Sequence, residues 1–416
     1  MRNSKTTQEV LSGAVGSWEP PKTIWNGMFI SIFFTNMALS MGQQMSNTLL
    51  SVYANSFGAP ADQIGQLMSM FAVTALIFRF ISGPAMNAYN RKKLVAMAMG
   101  FMATAYLGFS NAQLIADFVG VKPIAVLMAF RLLQGVGNAF GSACCLTMVS
   151  DTLPKDKFTT GMGYYACAQV VAQAIGPTVG VFLRDWIGYS KTYVVIFFVM
   201  CFAIFTSTHV KLAPRERVPF NLKLGNIIAK EALIPAGVTF LVATGFTAIN
   251  AFLMVYTEER GIPGGSLFFT VYAVTMLVTR PLVGRLTERF GFVKVAIPCV
   301  FMTAVSLVMI GYSGNMFWLL LSAFVNAFGY GAVQPMLQSL CMKAVGPERR
   351  GSASGTNYIG MDSATILGPM ICGKVADALG YEPIIWIVMT VPILIGMIAI
   401  FVLRKNIAAI EKRFQG

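Results

Sequence analysis

Two stretches of this chain, 201 residues apart, have closely similar sequences. Residues 71–83 read "FAVTALIFRFISG" and residues 272–284 read "YAVTMLVTRPLVG", so that Ala, Val, Thr, Leu, Arg and Gly coincide without a gap. A second pair, "GPTVGVFLRDWIGY" at 176–189 and "GPMICGKVADALGY" at 368–381, shares the pattern G-P-x7-D-x2-G-Y at an offset of 192. The chain therefore consists of two similar halves.

The composition places both halves in a membrane. Of the 416 residues, 56% are hydrophobic and 12% are charged, and the mean hydropathy is +0.66. A soluble core of that length cannot bury so much apolar surface. Apolar stretches of about 20 residues, each long enough to cross a bilayer as a helix, recur twelve times. We predict spans at residues 24–53, 62–86, 93–112, 123–149, 158–183, 190–210, 232–256, 264–286, 293–312, 315–344, 351–378 and 383–403.

The predicted fold is an all-α membrane protein with twelve transmembrane helices in two pseudo-symmetric six-helix bundles. The alternating strands of a membrane barrel are not seen in the sequence. Parallel repeats of this kind are related by an axis along the membrane normal, with the solute site between the halves near mid-membrane. The expected divisions are an N-terminal tail at 1–23, a bundle at 24–210, a linker at 211–230, a second bundle at 231–404 and a C-terminal tail at 405–416.

The distribution of cations predicts the orientation. Of the 31 Lys and Arg residues, 23 lie in segments on the side that holds both predicted tails, and five lie on the other side. Because cytoplasmic loops carry the excess of positive charge, we expect both termini in the cytoplasm and a multi-pass protein of the bacterial-type inner membrane. The cations are spread over many loops, so nucleic acid is not expected as a partner, and we expect a monomer in the lipid bilayer.

Other chemistries find little support in the sequence. The seven cysteines fall within predicted spans without a CxxC spacing, which favours a packing role over metal or disulfide roles. The single histidine, His209, is in no HExxH motif, and neither a GxSxG motif nor a GxxxxGK[ST] phosphate loop is present. We therefore expect no enzyme activity, no metal and no cofactor.

Four motifs carry a family resemblance. "GPAMNAYNRKK" at 83–93 is similar to a G-x-L-A-D-R-x-G-R-K signature, and "GRLTERFG" at 284–291 repeats part of it. "RLLQGVG" at 131–137 matches an R-x-x-Q-G-x-G element, and "AQAIGPTVGV" at 172–181 is close to G-x-x-x-G-P-x-x-G-G, with alanine and valine replacing the outer glycines. On these motifs the chain resembles the major facilitator superfamily over its whole length, and within it the bacterial sugar-efflux and drug:proton antiporter branch.

The resemblance implies a cytoplasmic gate formed by the first motif and its repeat. The acidic position of the motif is Asn87 in the first half and Glu288 in the second. Because a neutral amide forms weaker hydrogen bonds than a carboxylate, the gate contact of the first half is expected to be the weaker one. The alternative is that these cations only anchor the protein to anionic headgroups, which Arg79 and Arg280 can reach along their aliphatic stems. The predicted gate residues are Arg79, Gly83, Asn87, Arg91, Lys92, Arg280, Gly284, Glu288 and Arg289.

The Gly-Pro elements predict places where helices bend or approach closely. Small residues let helix backbones come together in a membrane, and proline removes a backbone donor and favours a bend. Both effects suit a transporter whose halves rock. The predicted bend residues are Gly176, Pro177, Gly180, Gly368 and Pro369.

Two ionisable residues lie deep within predicted spans, where charge is costly and indicates function. Asp362 follows Arg350 by 12 residues, about 18 Å along a helix, and is our candidate for proton coupling. The alternative is a structural carboxylate bonded to hydroxyls such as that of Thr365. Arg131 precedes Asp151 by 20 residues, about 30 Å, so a direct pair with Asp362 is not expected. The resemblance implies that Arg131 takes part in proton or substrate transfer.

Polar residues at helical spacing predict a solute cavity. Asn36, Ser40, Gln43, Gln44 and Asn47 share one face of the first span, and we expect about half of all such residues to line the cavity and the rest to bond between helices. The other candidates are Gln134, Asn138, Gln169, Gln173, Thr244, Thr247, Asn250, Asn326, Gln334, Gln338 and Asn357.

The sequence thus predicts a secondary active transporter with alternating access. Amides, hydroxyls, aromatic rings and thioethers suit a small amphipathic organic solute, and the first span has no acidic residue that would favour lipophilic cations, so a neutral or anionic solute is expected. Proton-coupled efflux is the first hypothesis. Proton-driven uptake or organic-anion exchange is the alternative, and a lipid flippase of the same fold is a more distant one.

Overall fold

The computed structural model describes residues 23–153, 158–208, 228–345, 350–380 and 383–415. The predicted N-terminal tail, except residue 23, and most of the predicted linker at 211–230 lie outside these ranges.

In the described part of the first half, the chain folds into five long helices and one short one. The short helix α4 lies in the segment that makes the first half longer than the second. Asn26 and Asn90 cap the amino ends of α1 and α3, where each side chain accepts a backbone hydrogen bond. The helices are α1 (Gly27–Ser56), α2 (Ala61–Ala88), α3 (Arg91–Ser110), α4 (Ala112–Val119), α5 (Pro123–Thr152) and α6 (Phe158–Thr208).

Helix α6 contains two of the predicted spans with no separate loop between them. It is 51 residues long and is broken at Gly188, whose φ of 80° and ψ of 169° are not helical. Glycine adopts a positive φ without steric cost. One glycine therefore replaces the loop that was predicted between residues 183 and 190.

Among the residues that the structure describes, the second half contains eight α-helices, preceded by a short 3-10 helix at Lys230–Ala232. Helices α10 and α11 together fill one predicted span and are separated by Gly329, where a Cβ atom would lie 2.6 Å from the backbone nitrogen of Thr303. The predicted C-terminal tail contains a helix, α14. The helices are α7 (Leu233–Glu259), α8 (Leu267–Phe290), α9 (Phe292–Gly311), α10 (Met316–Phe328), α11 (Tyr330–Lys343), α12 (Arg350–Leu379), α13 (Pro383–Val402) and α14 (Arg404–Gln415).

The prediction of twelve membrane spans is confirmed. By length and hydropathy alone, nine stretches within the described residues qualify as spans, and one of them, Tyr164–Thr208, has 45 residues, which is long enough to cross once on each side of its break at Gly188. Helices α1 and α12 have 30 residues each and complete the set. Helix α1 carries five of the polar residues that were predicted to face the solute, and α12 contains Asn357 and Asp362 among several glycines, serines and threonines, which lowers the hydropathy of both helices.

The two halves are related in three dimensions as the alignment predicts. Ser69 Oγ of α2 donates to the carbonyl of Ile366 on α12 at 2.7 Å, and Thr270 Oγ1 of α8 donates to the carbonyl of Ala174 on α6 at 2.5 Å. The offset of 201 converts 69 into 270, and the offset of 192 converts 366 into 174. The α2–α12 and α6–α8 interfaces between the bundles are therefore equivalent.

The bundles are closed against each other on one side of the membrane. We call the side where α1 begins and α13 ends the terminal face, and the other the opposite face. Near the opposite face, Asn55 Nδ2 of α1 donates to Glu259 Oε1 of α7 at 3.3 Å, and Arg184 of α6 pairs with Glu258 of α7. A Cβ atom on Gly373 would lie 2.6 Å from the carbonyl of Ala61. These contacts describe a state that is closed at the opposite face.

Candidate functional site

An ion pair joins the two bundles within the α2–α12 interface. Arg79 Nε donates to Asp362 Oδ2 at 2.8 Å, and the two side chains are 21% and 14% exposed. The Arg79 guanidinium also lies over the ring of Tyr358, with its Cζ atom 4.8 Å from the ring centroid. Tyr358 precedes Asp362 by one turn of α12, so both lie on the face that meets α2. The pair lies on the terminal side of the Ser69–Ile366 hydrogen bond in both helices.

The sequence analysis selected Asp362 but missed its partner. We predicted Arg79 as a gate residue, with a reach to the membrane surface as the alternative, whereas Asp362 and Tyr358 hold its guanidinium at the interface between the bundles. The alternative partner for Asp362, Thr365, donates its hydroxyl to the carbonyl of Met361 at 3.0 Å. A signal was available, because Arg79 is one of the residues that coincide in the repeat.

This pair is a charge-dependent contact between the two bundles. A charged Asp362 bonds the Arg79 guanidinium with both Coulomb attraction and a charge-assisted hydrogen bond. A protonated Asp362 loses the Coulomb attraction and leaves a cation in a mostly buried place, which is unfavourable. Proton uptake at Asp362 therefore weakens the contact between α2 and α12.

Arg131 forms a separate buried cluster inside the first bundle. Its side chain on α5 is 2% exposed, and it donates to Gln134 Oε1 at 2.6 Å and to Asn47 Oδ1 of α1 at 2.9 Å. Its Cζ atom lies 4.7 Å from the ring centroid of Phe71 on α2. Gln134 Nε2 in turn donates to the hydroxyl of Tyr106 on α3 at 3.0 Å. The arginine thus connects four helices of one bundle.

The charge of Arg131 is solvated by neutral groups. Its described partners are two amide oxygens and an aromatic face, and its Nε atom has no hydrogen-bond partner among the described residues. A buried guanidinium prefers a carboxylate or phosphate. An anionic group that approached this cluster would therefore be strongly attracted.

Some of the predicted cavity residues bond within a bundle. Asn357 accepts from the hydroxyl of Thr239 at 2.8 Å, Asn326 donates to Ser306 at 2.5 Å, and Thr247 donates to the carbonyl of Thr244 at 2.9 Å. These bonds join α7 to α12 and α9 to α10, or cap a carbonyl in the same helix. They give these residues structural roles in the state described here.

The other predicted cavity residues differ in exposure. Asn36 is fully buried, and neither atom of its amide has a hydrogen-bond partner among the described residues. Gln334 Nε2 lies 3.6 Å from the sulfur of Met361. The remaining residues range from buried (Asn138) through half-buried (Gln43, Gln44, Gln173 and Gln338) to exposed (Gln169 and Asn250). Whether they line a solute cavity stays a prediction.

The predicted gate residues are placed as follows. Arg91 is 6% exposed, and its Nε atom donates to the carbonyl of Met86 at 3.3 Å. The backbones of Gly83, Asn87 and Glu288 are helical, but the side chains of Asn87 and Glu288 lie outside the described part of the chain. Lys92 is half-buried, Gly284 and Arg289 are exposed, and Arg280 is half-buried with a buried Nε atom.

The predicted bend residues lie where helices approach closely. A Cβ atom on Gly176 would be 2.9 Å from the Cβ of Gln44 on α1, and one on Gly180 would be 3.4 Å from the Cα of Met45. A Cβ atom on Gly368 would be 2.6 Å from the carbonyl of Thr244. Pro177 and Pro369 lie inside α6 and α12. Close packing is therefore a structural role of these glycines.

Comparisons with known proteins find relatives and a solved structure that align with most of the chain. The staphylopine export protein of Staphylococcus aureus strain Mu50 is 22% identical over 407 residues, which cover 91% of this chain and 96% of that protein. The quinolone resistance protein NorA of Staphylococcus aureus strain COL is 19% identical over 374 residues, with coverages of 85% and 90%. A crystal structure of a mutant of the nucleoside transporter NupG has the same fold, with a TM-score of 0.76, 14% identity, and coverages of 90% and 99%.

The family itself is shown by a match to its sequence model. The model described as Major Facilitator Superfamily matches residues 32–268 and 236–414, which together cover both bundles. The matched residues contain the sequence repeat, the membrane spans and the two equivalent interfaces described above. This chain belongs to the Major Facilitator Superfamily.

Proposed function

We propose that this transporter exports a small amphipathic organic solute, neutral or anionic, in exchange for protons. The observation that carries the proposal is the Arg79–Asp362 ion pair between the two bundles. Membership of the superfamily makes the chain a membrane transporter and not an enzyme. The proton, the solute class and the direction of transport are the proposed part.

The ion pair explains how proton and solute movements become coupled. With Asp362 charged, the pair stabilises the state that is closed at the opposite face. We place both termini in the cytoplasm of a bacterial-type inner membrane, so this state faces inward. The empty, deprotonated carrier is held in it. Either a proton on Asp362 or a solute that competes for Arg79 releases the pair, so each crossing requires one of the two.

The relatives favour export as the direction. The names of two relatives describe export of staphylopine and resistance to quinolones, and both relatives align over most of this chain. In an exporter of this kind, a proton would enter from outside and leave to the cytoplasm as the solute moves outward. The Arg131 cluster is our candidate for holding a polar or anionic part of the solute, because its cation has only neutral partners among the described residues.

The experiment is transport by purified protein in liposomes under an imposed pH gradient, with solutes first found by thermal-shift screening. Asp362→Asn is expected to abolish gradient-driven transport while solute binding remains, because asparagine cannot take up the proton. Asp377→Asn is the matched control, since Asp377 is an exposed carboxylate on the same helix. Gradient-driven flux that persists in Asp362→Asn contradicts the proposed coupling.

The same vesicles separate the alternatives. Solute accumulation along the proton gradient would indicate proton-driven uptake, and solute-for-solute exchange without a response to pH would indicate organic-anion exchange. Scrambling of a labelled lipid by the protein would indicate a lipid flippase. Each of these results contradicts proton-coupled export if protons and solute are not also seen to move in opposite directions.

A further inference from the structure

A second polar site lies inside the C-terminal bundle, near the terminal face. Here α8, α9, α11 and α14 enclose a cavity of about 220 Å³. Its wall is apolar along one part, which includes Val283, Phe292 and Met336. The polar part of the wall consists of Arg280, Thr287, Ser339, Lys343 and Glu411.

Arg280 gives this cavity a preference for anions. Its Nε atom is buried and has no hydrogen-bond partner among the described residues. A buried donor without an acceptor is unfavourable, and a guanidinium is matched best by a carboxylate or phosphate. Lys343 adds a second positive charge to the wall, and Glu411 adds one negative charge. The charged side chains of the lining therefore sum to a net charge of +1.

The cavity is separate from the proposed path of the solute. On α11, Gln334 contacts Met361 of α12, whereas Met336 lines the cavity. Two positions along a helix correspond to a rotation of about 200°, so the cavity and the Gln334 amide lie on opposite sides of α11. The Arg79–Asp362 pair lies in the α2–α12 interface, and none of the helices that enclose the cavity belongs to that interface.

The C-terminal helix α14 forms one wall of the cavity. Ile407 of α14 is 1% exposed, and Glu411 Oε1 accepts a hydrogen bond from the backbone nitrogen of Phe292 at 3.1 Å. These contacts hold α14 against the start of α9. The carboxylate of Glu411 is thereby fixed at the rim of a site that otherwise carries cations.

We propose that this cavity binds the phosphate group of an amphipathic or small organic phosphate. The Arg280 guanidinium bonds the phosphate oxygens, the positive charge of Lys343 attracts them, the Ser339 hydroxyl donates to them, and the apolar wall accepts the organic part. Two sources share this chemistry, namely the headgroup of an anionic lipid and a soluble phosphate ester.

Two probes distinguish the sources. For the lipid, the protein is reconstituted in nanodiscs of phosphatidylglycerol or of phosphatidylcholine. Native mass spectrometry then counts the lipids that stay bound to the protein after it leaves the nanodisc. For the soluble ester, glycerol 3-phosphate is titrated against detergent-purified protein, and the rise in melting temperature gives its affinity. Binding of at least one probe is expected, and failure of both probes to bind overturns the proposal.

Variants test whether the bound probe is in this cavity. Arg280→Gln is expected to weaken binding by about tenfold to a hundredfold, the effect of a lost charge-assisted hydrogen bond. Glu411→Gln is expected to strengthen binding severalfold, because glutamine can still accept from Phe292 but no longer repels the phosphate. Arg285→Gln is the matched control, since Arg285 is an exposed cation on the same helix, and it should bind as the wild type does.

A cavity-filling variant covers the case in which Arg280→Gln does not fold. A Cβ atom on Gly284, which lines the cavity, would meet nothing within 4 Å. The Cβ atom of Gly284→Leu therefore has room, and its longer side chain should occupy the cavity and exclude the probe. Unchanged affinity in Gly284→Leu, or equal affinities in Arg280→Gln and the wild type, overturns the proposal.

Discussion

The α2–α12 and α6–α8 interfaces begin alike and then diverge. Each has a hydroxyl of one bundle bonded to a backbone carbonyl of the other, Ser69 to Ile366 and Thr270 to Ala174. Toward the terminal face, the first interface has the Arg79–Asp362 ion pair. The same offsets convert 79 into 280 and 362 into 170, so the second interface has Arg280 and Val170 in those places.

This difference in sequence determines which of the two interfaces can respond to protonation. Val170 is 6% exposed and cannot ionise, so a proton has a target at this level of the α2–α12 interface but not at the equivalent place between α6 and α8. The duplicated arginines have consequently diverged. Arg79 pairs across the bundles, whereas Arg280 lines a cavity of its own bundle.

Among the variants considered, reversal of the charge at Arg79 should change the population of the closed state most strongly. In Arg79→Glu a second carboxylate faces Asp362, and the loss of one partner of a buried pair costs about 3–5 kcal/mol. The population of the state closed at the opposite face should fall about a hundredfold or more relative to the open state. Distances between spin labels at Gln113→Cys and Asn315→Cys, both near the opposite face, measure this shift by electron paramagnetic resonance.

The reciprocal exchange is the control for that variant. Arg79→Asp combined with Asp362→Arg returns opposite charges to the interface and should recover much of the closed population. The labels require a background with Cys167 and Cys201 replaced by serine, because the other five cysteines are buried. A wild-type distance distribution in Arg79→Glu would show that the pair does not stabilise the closed state.

The fold could be predicted from the sequence because the features that determine it, the apolar stretches and the internal repeat, extend over many residues. Twelve apolar stretches predict twelve helices, and the repeat predicts which interfaces are equivalent, as Ser69 and Thr270 demonstrate. A loop was predicted between residues 183 and 190, but its reduction to a break at Gly188 was not, since a single glycine with positive φ looks the same in a sequence as one that only allows close packing.

The candidate site could be predicted only in part. Depth along a helix follows from residue counts, so Asp362 was recognised as a residue near mid-membrane. Its partner depends on how α2 and α12 cross, and a side chain as long as arginine can reach either the surface or a neighbouring helix. The contacts of Arg184 and Asn55 with α7 were missed for a similar reason, because Arg184 is a variable position of the repeat at 176–189 and Asn55 lies outside every motif.

Supplying the missing carboxylate should make the two interfaces alike. By the repeat, Val170→Asp places an acid at the position equivalent to that of Asp362, where it competes with the cavity for the guanidinium of Arg280. We expect the closed state to become more stable and solute exchange in liposomes to slow by about tenfold, the effect of about 1.4 kcal/mol. Val170→Asn is the neutral control. In an Arg280→Gln background the slowing should disappear, and slowing that is independent of Arg280 would refute the equivalence.

The ion pair at the opposite face should have a smaller effect than the one between α2 and α12. Glu258 is 39% exposed and Arg184 is 16% exposed, and exposed pairs contribute about 0–1 kcal/mol. Glu258→Gln should therefore lower the closed population by about fivefold or less, and raising the salt concentration should remove the difference. The spin-label distances described above measure it.

Glu259→Gln is the matched control for that variant. Glu259 accepts from Asn55, and the carbonyl oxygen of glutamine can accept the same bond, so no shift is expected. An effect of Glu258→Gln that persists at high salt would mean that the pair is as well shielded from solvent as Arg79–Asp362.

The smallest expected effects are those of the two equivalent hydrogen bonds, and their equality is the sharpest test of the repeat. Ser69→Ala and Thr270→Val each remove one hydroxyl between the bundles, and interhelical hydrogen bonds in membranes contribute about 0.6 kcal/mol. Each variant should lower the closed population about threefold. Thr270 also lies 3.2 Å from the hydroxyl of Thr178, so Thr178→Val serves as a control for that second contact. A large effect in one variant and none in the other would mean that only one of the two interfaces stabilises the closed state. The two interfaces would then differ already at these hydrogen bonds, and the Arg79–Asp362 pair would not be the origin of the difference.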